Sequence, residues 1–314
     1  MSILAVGSIA YDSVETPFGV SENALGGSAV YFSMAASLFT RVRLVGVVGQ
    51  DFQEGDVELL RQRGIDLRGL ERAAGRTFRW SGRYGYDLNT RDTLDTQLNV
   101  FESFRPEIPP DFLDSRLLFL GNIDPLLQMD VLERVPGAEL RACDTMNYWI
   151  RNQRADLERL LAQVNVLIVN DEEARQFTDT PNLFRAAVAI RRLGPAHLVI
   201  KKGEHGALLF APDGIFVAPG LPLETIVDPT GAGDAFAGGL LGHLARCENL
   251  TPVEYRRAVV YGCVLGSFCV EAFGVERLTT LALWEVEERF ELFLRLMRVE
   301  DPGPGLPREA VAGA

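Results

Sequence analysis

The run DPTGAGDAFAGGLLGHLAR, residues 228–246, joins a polar, glycine-bearing turn directly to an apolar helical pattern. A helix that begins there leaves about four backbone N–H groups without intrahelical partners and carries partial positive charge at its first turn. Gly231 and Gly233 place no Cβ between those amides and an approaching anion. The Gly231-Ala232-Gly233 backbone is therefore expected to act as an anion hole for a phosphate or a metaphosphate-like group in transfer. Asp234 follows in the first turn, where a carboxylate can take the proton of an attacking hydroxyl. The plainer reading is a capping acid behind a glycine turn. The small residues of AFAGGLLG, 235–242, suit close packing of the helix on a sheet.

Outward from this run, short apolar segments recur at 3–12, 42–49, 116–122, 138–145, 164–170 and 197–203. Such continuous runs fit strands buried on both faces. Helical patterns lie between them at 27–39, 56–64, 155–163 and 182–194. The alternation predicts an α/β fold with a doubly wound, mostly parallel sheet flanked by helices. Residues 75–105 are aromatic, partly alternating and punctuated by turns. Joined with 12–20, they are expected to form a small β-sheet lid, an idle edge hairpin being the alternative. The domain reading is one α/β unit, 1–299, with lid segments 12–20 and 75–105 inserted. The Pro-, Gly- and Ala-rich residues 300–314 are expected to be a disordered tail. Polar residues at strand ends, namely Asp12, Asn122, Asp124, Asp144, Asn170 and Gly203, point to one crevice at the carboxyl edge of the sheet.

Composition narrows the function classes. The 314 residues carry 31 Lys and Arg against 43 Asp and Glu, a net charge of −12, which disfavours nucleic acid as a partner. Four cysteines without C-x-x-C spacing suit free thiols in a reducing cytosol. The three histidines are too scattered to suggest a zinc site. No apolar run reaches the roughly 18–20 residues of a membrane span, and the N-terminus lacks the basic start of a leader. A cytoplasmic location without membrane contact is expected.

The whole run from Asp228 to Gly239 resembles the C-terminal signature of the ribokinase-like carbohydrate kinases, the PfkB family. It is not a Walker A loop, because no G-K-[ST] follows the glycines. Other segments resemble the family in its order: GSIAYDSV (7–14), LGGSAVYFSMAAS (25–37), VGVVGQDFQEG (45–55), NDEE (170–173) and KKGEHG (201–206). The resemblance implies ATP and Mg²⁺ as cofactors, with Asn170, Lys201, Gly203, Gly206 and Thr230 on the nucleotide side. It places Glu173 near magnesium, largely through water, and K⁺ beside Asp228 and Thr230, as in many members. Asp234 is implied as the base and Gly231 to Gly233 as the anion hole. On the acceptor side it implies Asp12 for substrate hydroxyls, with Gly26 and Gly27 against the substrate. Tyr31 stands where many sugar kinases of the family carry asparagine, and Asp124 falls near an acid that touches the acceptor. Phe78, Arg79, Trp80, Arg83 and Tyr84 of the lid are acceptor candidates, the aromatics through stacking and the arginines through pairing with an anionic group; packing or a dimer contact, and solvation, are their alternatives. Asp144, Asn147 and Trp149 form a further polar-aromatic cluster that can face the acceptor or serve capping and core.

These features predict an ATP-dependent kinase that phosphorylates an alcohol of a sugar or sugar-like acceptor. A nucleoside kinase on the same fold is the alternative. A non-catalytic ligand-binding regulator would be signalled by loss of the base or the glycine loop, and both are intact. Partners are limited to ATP and a small acceptor, with a homodimer through the lid, as in several relatives.

Overall fold

A computed structural model of the chain describes residues 1–298; the expected tail, 300–314, lies outside them. The strands are β1 (Ser2–Val6), β2 (Ala10–Thr16), β3 (Gly19–Gly26), β4 (Arg41–Val48), β5 (Asp66–Arg72), β6 (Phe78–Tyr84), β7 (Arg91–Gln97), β8 (Leu117–Leu120), β9 (Leu140–Asp144), β10 (Val166–Asn170), β11 (His197–Lys201), β12 (Ala207–Ala211) and β13 (Gly214–Ala218). The helices are α1 (Ser28–Ala36), α2 (Glu54–Gln62), α3 (Pro125–Arg134), α4 (Asn147–Asn152), α5 (Arg154–Leu161), α6 (Asp171–Thr178), α7 (Leu183–Arg191), α8 (Ala232–Arg246), α9 (Pro252–Cys269), α10 (Glu276–Thr280) and α11 (Leu283–Met297).

The large sheet runs β13-β12-β11-β10-β9-β8-β1-β4-β5. Its strands are parallel from β11 to β5, and the β12–β13 hairpin adds an antiparallel edge. This is the expected doubly wound sheet. Alternation along its strands sorts the core onto two faces. Ile3 and Ala5 join the cluster that packs under α1, α8, α9 and α11, while Leu4 and Val6 join the one under α3, α5, α6 and α7. Leu117 and Phe119 divide from Leu118 and Leu120 in the same way. Phe32 of α1 stacks flat on Phe119 at 3.9 Å.

The winding reverses at β1, with β4 and β5 added on one side and β8 to β11 on the other. A reversal opens a crevice at the carboxyl ends of the strands. The lid rises at that place. The apolar run 3–12 is therefore not one strand: it splits into β1 and β2, which belong to different sheets. The break is fixed by Ser8 and Ser28, whose backbone N–H groups each donate to the other's Oγ, at 3.1 and 3.0 Å. These bonds tie the end of β1 to the start of α1 and turn the chain out of the large sheet.

The lid is a four-stranded sheet, β3-β2-β6-β7. It is wider than 12–20 at its first segment, since all of 19–26 forms β3, and narrower at its second, since 99–103 is a short 3-10 turn. Helix α8 packs between α1 and α9 rather than on the sheet alone. A Cβ on Gly238 would fall 2.5 Å from the Phe32 carbonyl oxygen of α1, and one on Gly239 2.6 Å from that of Tyr261 on α9. Among the described residues, no helix is long and apolar enough to cross a membrane.

Candidate active site

Helix α8 starts from Gly231, which holds a left-handed backbone with φ +75. A Cβ at that position would also fall 2.3 Å from the ring of Tyr31. Both facts demand glycine. Gly231→Ala should lower stability by at least about 1–2 kcal/mol from backbone strain alone, more where the buried ring must move; a urea unfolding midpoint unchanged from wild type would contradict this.

A cation borders the glycine loop at Gly233. Lys201, the last residue of β11, places Nζ 3.3 Å from Asp144 Oδ2 at the end of β9. A Cβ on Gly233 would lie 2.8 Å from the same Nζ. The Gly233 backbone and the ammonium thus border one space, an arrangement suited to a phosphate. Burial pulls the Lys201 pKa down, but Asp144, Glu173 and Asp234 outweigh it and hold the amine charged.

Asp234 sits half-buried in the first turn of α8. Burial pushes its carboxyl up to about 7; the charge of Asp144 adds to the rise, and Lys201 and Arg91 oppose it. Burial raises Asp144 too, despite its ammonium partner. Glu173 belongs to a reciprocal cap at the start of α6: its Oε2 accepts from the Asn170 N–H at 2.8 Å, and Asn170 Oδ1 accepts from the Glu173 N–H at 2.7 Å. Burial, then Asp144, lifts Glu173 to about 7. Asp144, Asn170 and Lys201 are the terminal residues of three adjacent parallel strands, β9, β10 and β11.

Asp12, the acid expected on the acceptor side, is 5% exposed. A Cβ on Gly26 would fall 2.0 Å from Asp12 Oδ2, so the acid lies flat against the glycine pair. Gly27 has φ +93 and caps α1. Burial drives the Asp12 carboxyl up to about 7; the Gly27 N–H lowers it, and Asp228 and Asp234 raise it further.

Some expected residues are engaged elsewhere. Tyr31 is 1% exposed, supports Gly231 from beneath and offers no surface to an acceptor. Its hydroxyl has no partner among the described residues. Asp124 caps α3, with Oδ1 accepting from the Leu126 N–H and Oδ2 from the Gln153 amide, at 2.8 and 2.9 Å. Arg79 and its cross-strand partner Tyr11 leave the lid on the face opposite Asp12 and Trp80. There Arg79 pairs with Asp51 at 3.0 Å and bonds Asn23. Phe78 stacks on Phe101 at 5.3 Å, as lid packing. Asp228, 1% exposed, accepts backbone N–H from Thr230 at 2.8 Å and Gly274 at 3.3 Å, so it braces the loop from within. Gly203 and Gly206 both hold positive φ in the turn after β11.

Two further lid residues reach the site: Tyr84, a lid aromatic expected to stack on the acceptor, and Arg91, which the sequence does not single out. The Thr230 hydroxyl donates to Tyr84 Oη at 3.2 Å, joining β6 to the glycine loop. Arg91, the partner of Tyr84 on β7, lowers the pKa of Asp12, Glu173 and Asp234 by its charge. The period-two pattern of the lid carries the signal for both, since Trp80, Gly82 and Tyr84 share a face. Asn89 in the β6–β7 turn lies 3.5 Å from Glu204 of the turn after β11, so the lid spans the crevice.

The profile of the pfkB family carbohydrate kinases matches residues 137–280. The chain is 29% identical over 257 residues to the cytidine kinase of Thermococcus kodakarensis, covering 80% of this chain and 91% of that one. It is 25% identical over 304 residues to a nucleoside kinase of Methanothermobacter thermautotrophicus, covering 87% and 91%. Its fold superimposes on the nucleoside kinase of Methanocaldococcus jannaschii, an archaeal member of the ribokinase family, with a TM-score of 0.75 at 19% identity over 93% and 98% of the two chains. The signature loop, the strand-end charges and these similarities agree: residues 137–280 carry a pfkB family carbohydrate kinase domain, and the chain is a phosphotransferase with an alcohol group as acceptor.

Proposed function

We propose that this kinase transfers the γ-phosphoryl group of ATP to a ribose hydroxyl of a nucleoside. The observation that carries this reading is the similarity to a cytidine kinase along 91% of that protein's length. The site supports it. Asp234 stands where it can take the proton of an acceptor hydroxyl. The amides of Gly231 to Gly233 and the Lys201 ammonium face the charge that develops on the transferred group. Asp12, beside glycines that lack side chains, offers a carboxylate to neighbouring ribose hydroxyls. Trp80, on the Asp12 face of the lid, provides an aromatic surface for a base.

The nucleotide fits the cradle at Gly233 and Lys201, where any Cβ would intrude. Magnesium fits Glu173 through water, because Oε2 already serves the Asn170 N–H. ATP with its metal would supply the phosphoryl group and part of the countercharge. The chain itself orients the acceptor at Asp12, holds the proton acceptor at Asp234 and excludes water beneath the lid. We retain the lid as a homodimer surface, since Phe18, Val20 and Leu94 stand exposed on it; sedimentation at working concentration checks this.

A second reading, a free sugar or sugar phosphate as acceptor, is favoured by the match of residues 137–280 to carbohydrate kinases and by the general fit of Asp12 to any diol. ATP consumption against cytidine, inosine, adenosine, ribose, hexoses and hexose phosphates separates the two. The expected result is a kcat/KM for at least one nucleoside more than about tenfold above every sugar, a difference of roughly 1.4 kcal/mol in transition-state binding. A sugar ahead of all nucleosides would overturn the first reading.

A further inference from the structure

We propose that His243, Cys247 and Glu254 form a binding site for one zinc-class divalent cation, remote from the kinase crevice. His243 lies twelve residues beyond Gly231 on the same helix, about 18 Å along its axis. His243 and Cys247 are spaced i, i+4 at the end of α8, and Glu254 is the third residue of α9. The Cys247 Sγ is 3.5 Å from His243 Nε2 and 3.3 Å from Glu254 Oε2, and Nε2 and Oε2 are 2.6 Å apart. The three atoms lie within 4.8 Å of one another.

Those separations are close to a coordination shell. Zinc bonds of about 2.0–2.1 Å to nitrogen, 2.3 Å to sulfur and 2.0–2.2 Å to oxygen, at tetrahedral angles, set sulfur about 3.5 Å from the other two ligands and nitrogen about 3.4 Å from oxygen. Both sulfur edges are already in place. Only the histidine–carboxylate edge must open, by about 0.8 Å from its present hydrogen bond. One nitrogen, one thiol sulfur and one carboxylate oxygen match the donor set this ion takes.

The surroundings hold the three residues in place. The His243 ring is 3% exposed and stacks on Tyr261 at 4.6 Å. Arg116 donates to the Cys247 carbonyl oxygen at 2.6 Å, and Thr251 caps α9 by accepting from the Glu254 N–H at 3.3 Å. Cys247 and Glu254 are partly exposed, which leaves an entry path and a fourth position for water. On binding, Cys247 gives its proton to solvent, and the histidine proton moves from Nε2 to Nδ1. Nδ1 has no partner among the described residues, and Arg257 lies 4.0 Å from Glu254. Both features place the affinity below that of a closed four-ligand structural site. The ion would staple the end of α8 to the start of α9.

The test uses the full, metal-free chain without nucleotide, titrated with Co²⁺. One equivalent should give tetrahedral d–d bands and a thiolate-to-cobalt charge-transfer band, both displaced by Zn²⁺. Cys247→Ser should abolish the charge-transfer band and keep kinase activity, and Glu254→Gln should weaken Co²⁺ binding at least tenfold. Carboxylates of the kinase crevice give no sulfur band, so binding there is distinguished. Absence of the band in the wild type, its survival in Cys247→Ser, or wild-type affinity in Glu254→Gln would each overturn the proposal.

Discussion

Asp234→Asn is expected to lower kcat by about 10²–10⁴-fold while nucleotide affinity stays near wild type. The exchange keeps the shape of the first turn of α8 and the Gly231 to Gly233 amides, and it removes only the proposed proton acceptor. The surroundings of Asp234 add a pH signature. With its carboxyl lifted to about 7, Asp234 is protonated and unable to accept a proton at lower pH. The wild-type rate should therefore rise with pH through that region and level above it. The sign of each neighbour follows. Lys201→Met removes a cation that holds the Asp234 pKa down and should move the acidic limb to higher pH. Asp144→Asn removes an anion that pushes it up and should move the limb lower. Because Asp144, Glu173, Asp234 and Lys201 interact, the profile reports the group rather than one residue. Near-wild-type turnover in Asp234→Asn, or an acidic limb untouched by both neighbouring changes, would remove Asp234 from the role of base.

How much of this could be read in the chain depends on how local each signal is. The loop at Gly231, the acid at Asp234 and the cap at Asn170 and Glu173 are sets of neighbours in sequence, so the pattern carries them directly. The parallel strands are legible because burial on both faces leaves continuous apolar runs. Arg79 is different: one step along β6 separates the crevice face from the outer face, and only the pairing register with β2 decides which it takes. Tyr31 could not be placed without knowing that α1 runs beneath the start of α8. Asp124 did carry a local signal. Asp followed by Pro is a helix start, and the structure uses it so. The meeting of His243 and Cys247 with Glu254 depends on the turn between α8 and α9, which three scattered histidines do not announce.

Asp12→Asn is expected to separate stability from function. Asp12 is driven from an ordinary 3.8 to about 7, chiefly by burial. A carboxyl whose folded pKa is raised keeps its proton in the folded chain while the unfolded chain has already lost it. Its burden on folding is absent below about pH 4, grows between about 4 and 7 and is full above 7, on the order of 4 kcal/mol. Asparagine presents the same shape without the charge, and its Oδ1 can still accept the Gly27 N–H. The ligand-free variant should thus melt several degrees above the wild type at pH 8, with the difference shrinking toward pH 5. Over the same change the acceptor KM should rise at least tenfold, because an amide replaces the charged acceptor of hydroxyl hydrogen bonds with a weaker one. A buried acid kept at such a cost is explained by a ligand that uses it, the trade expected where binding strains a fold. A variant that melts below the wild type at both pH values, with KM unmoved, would make Asp12 a brace of the lid instead.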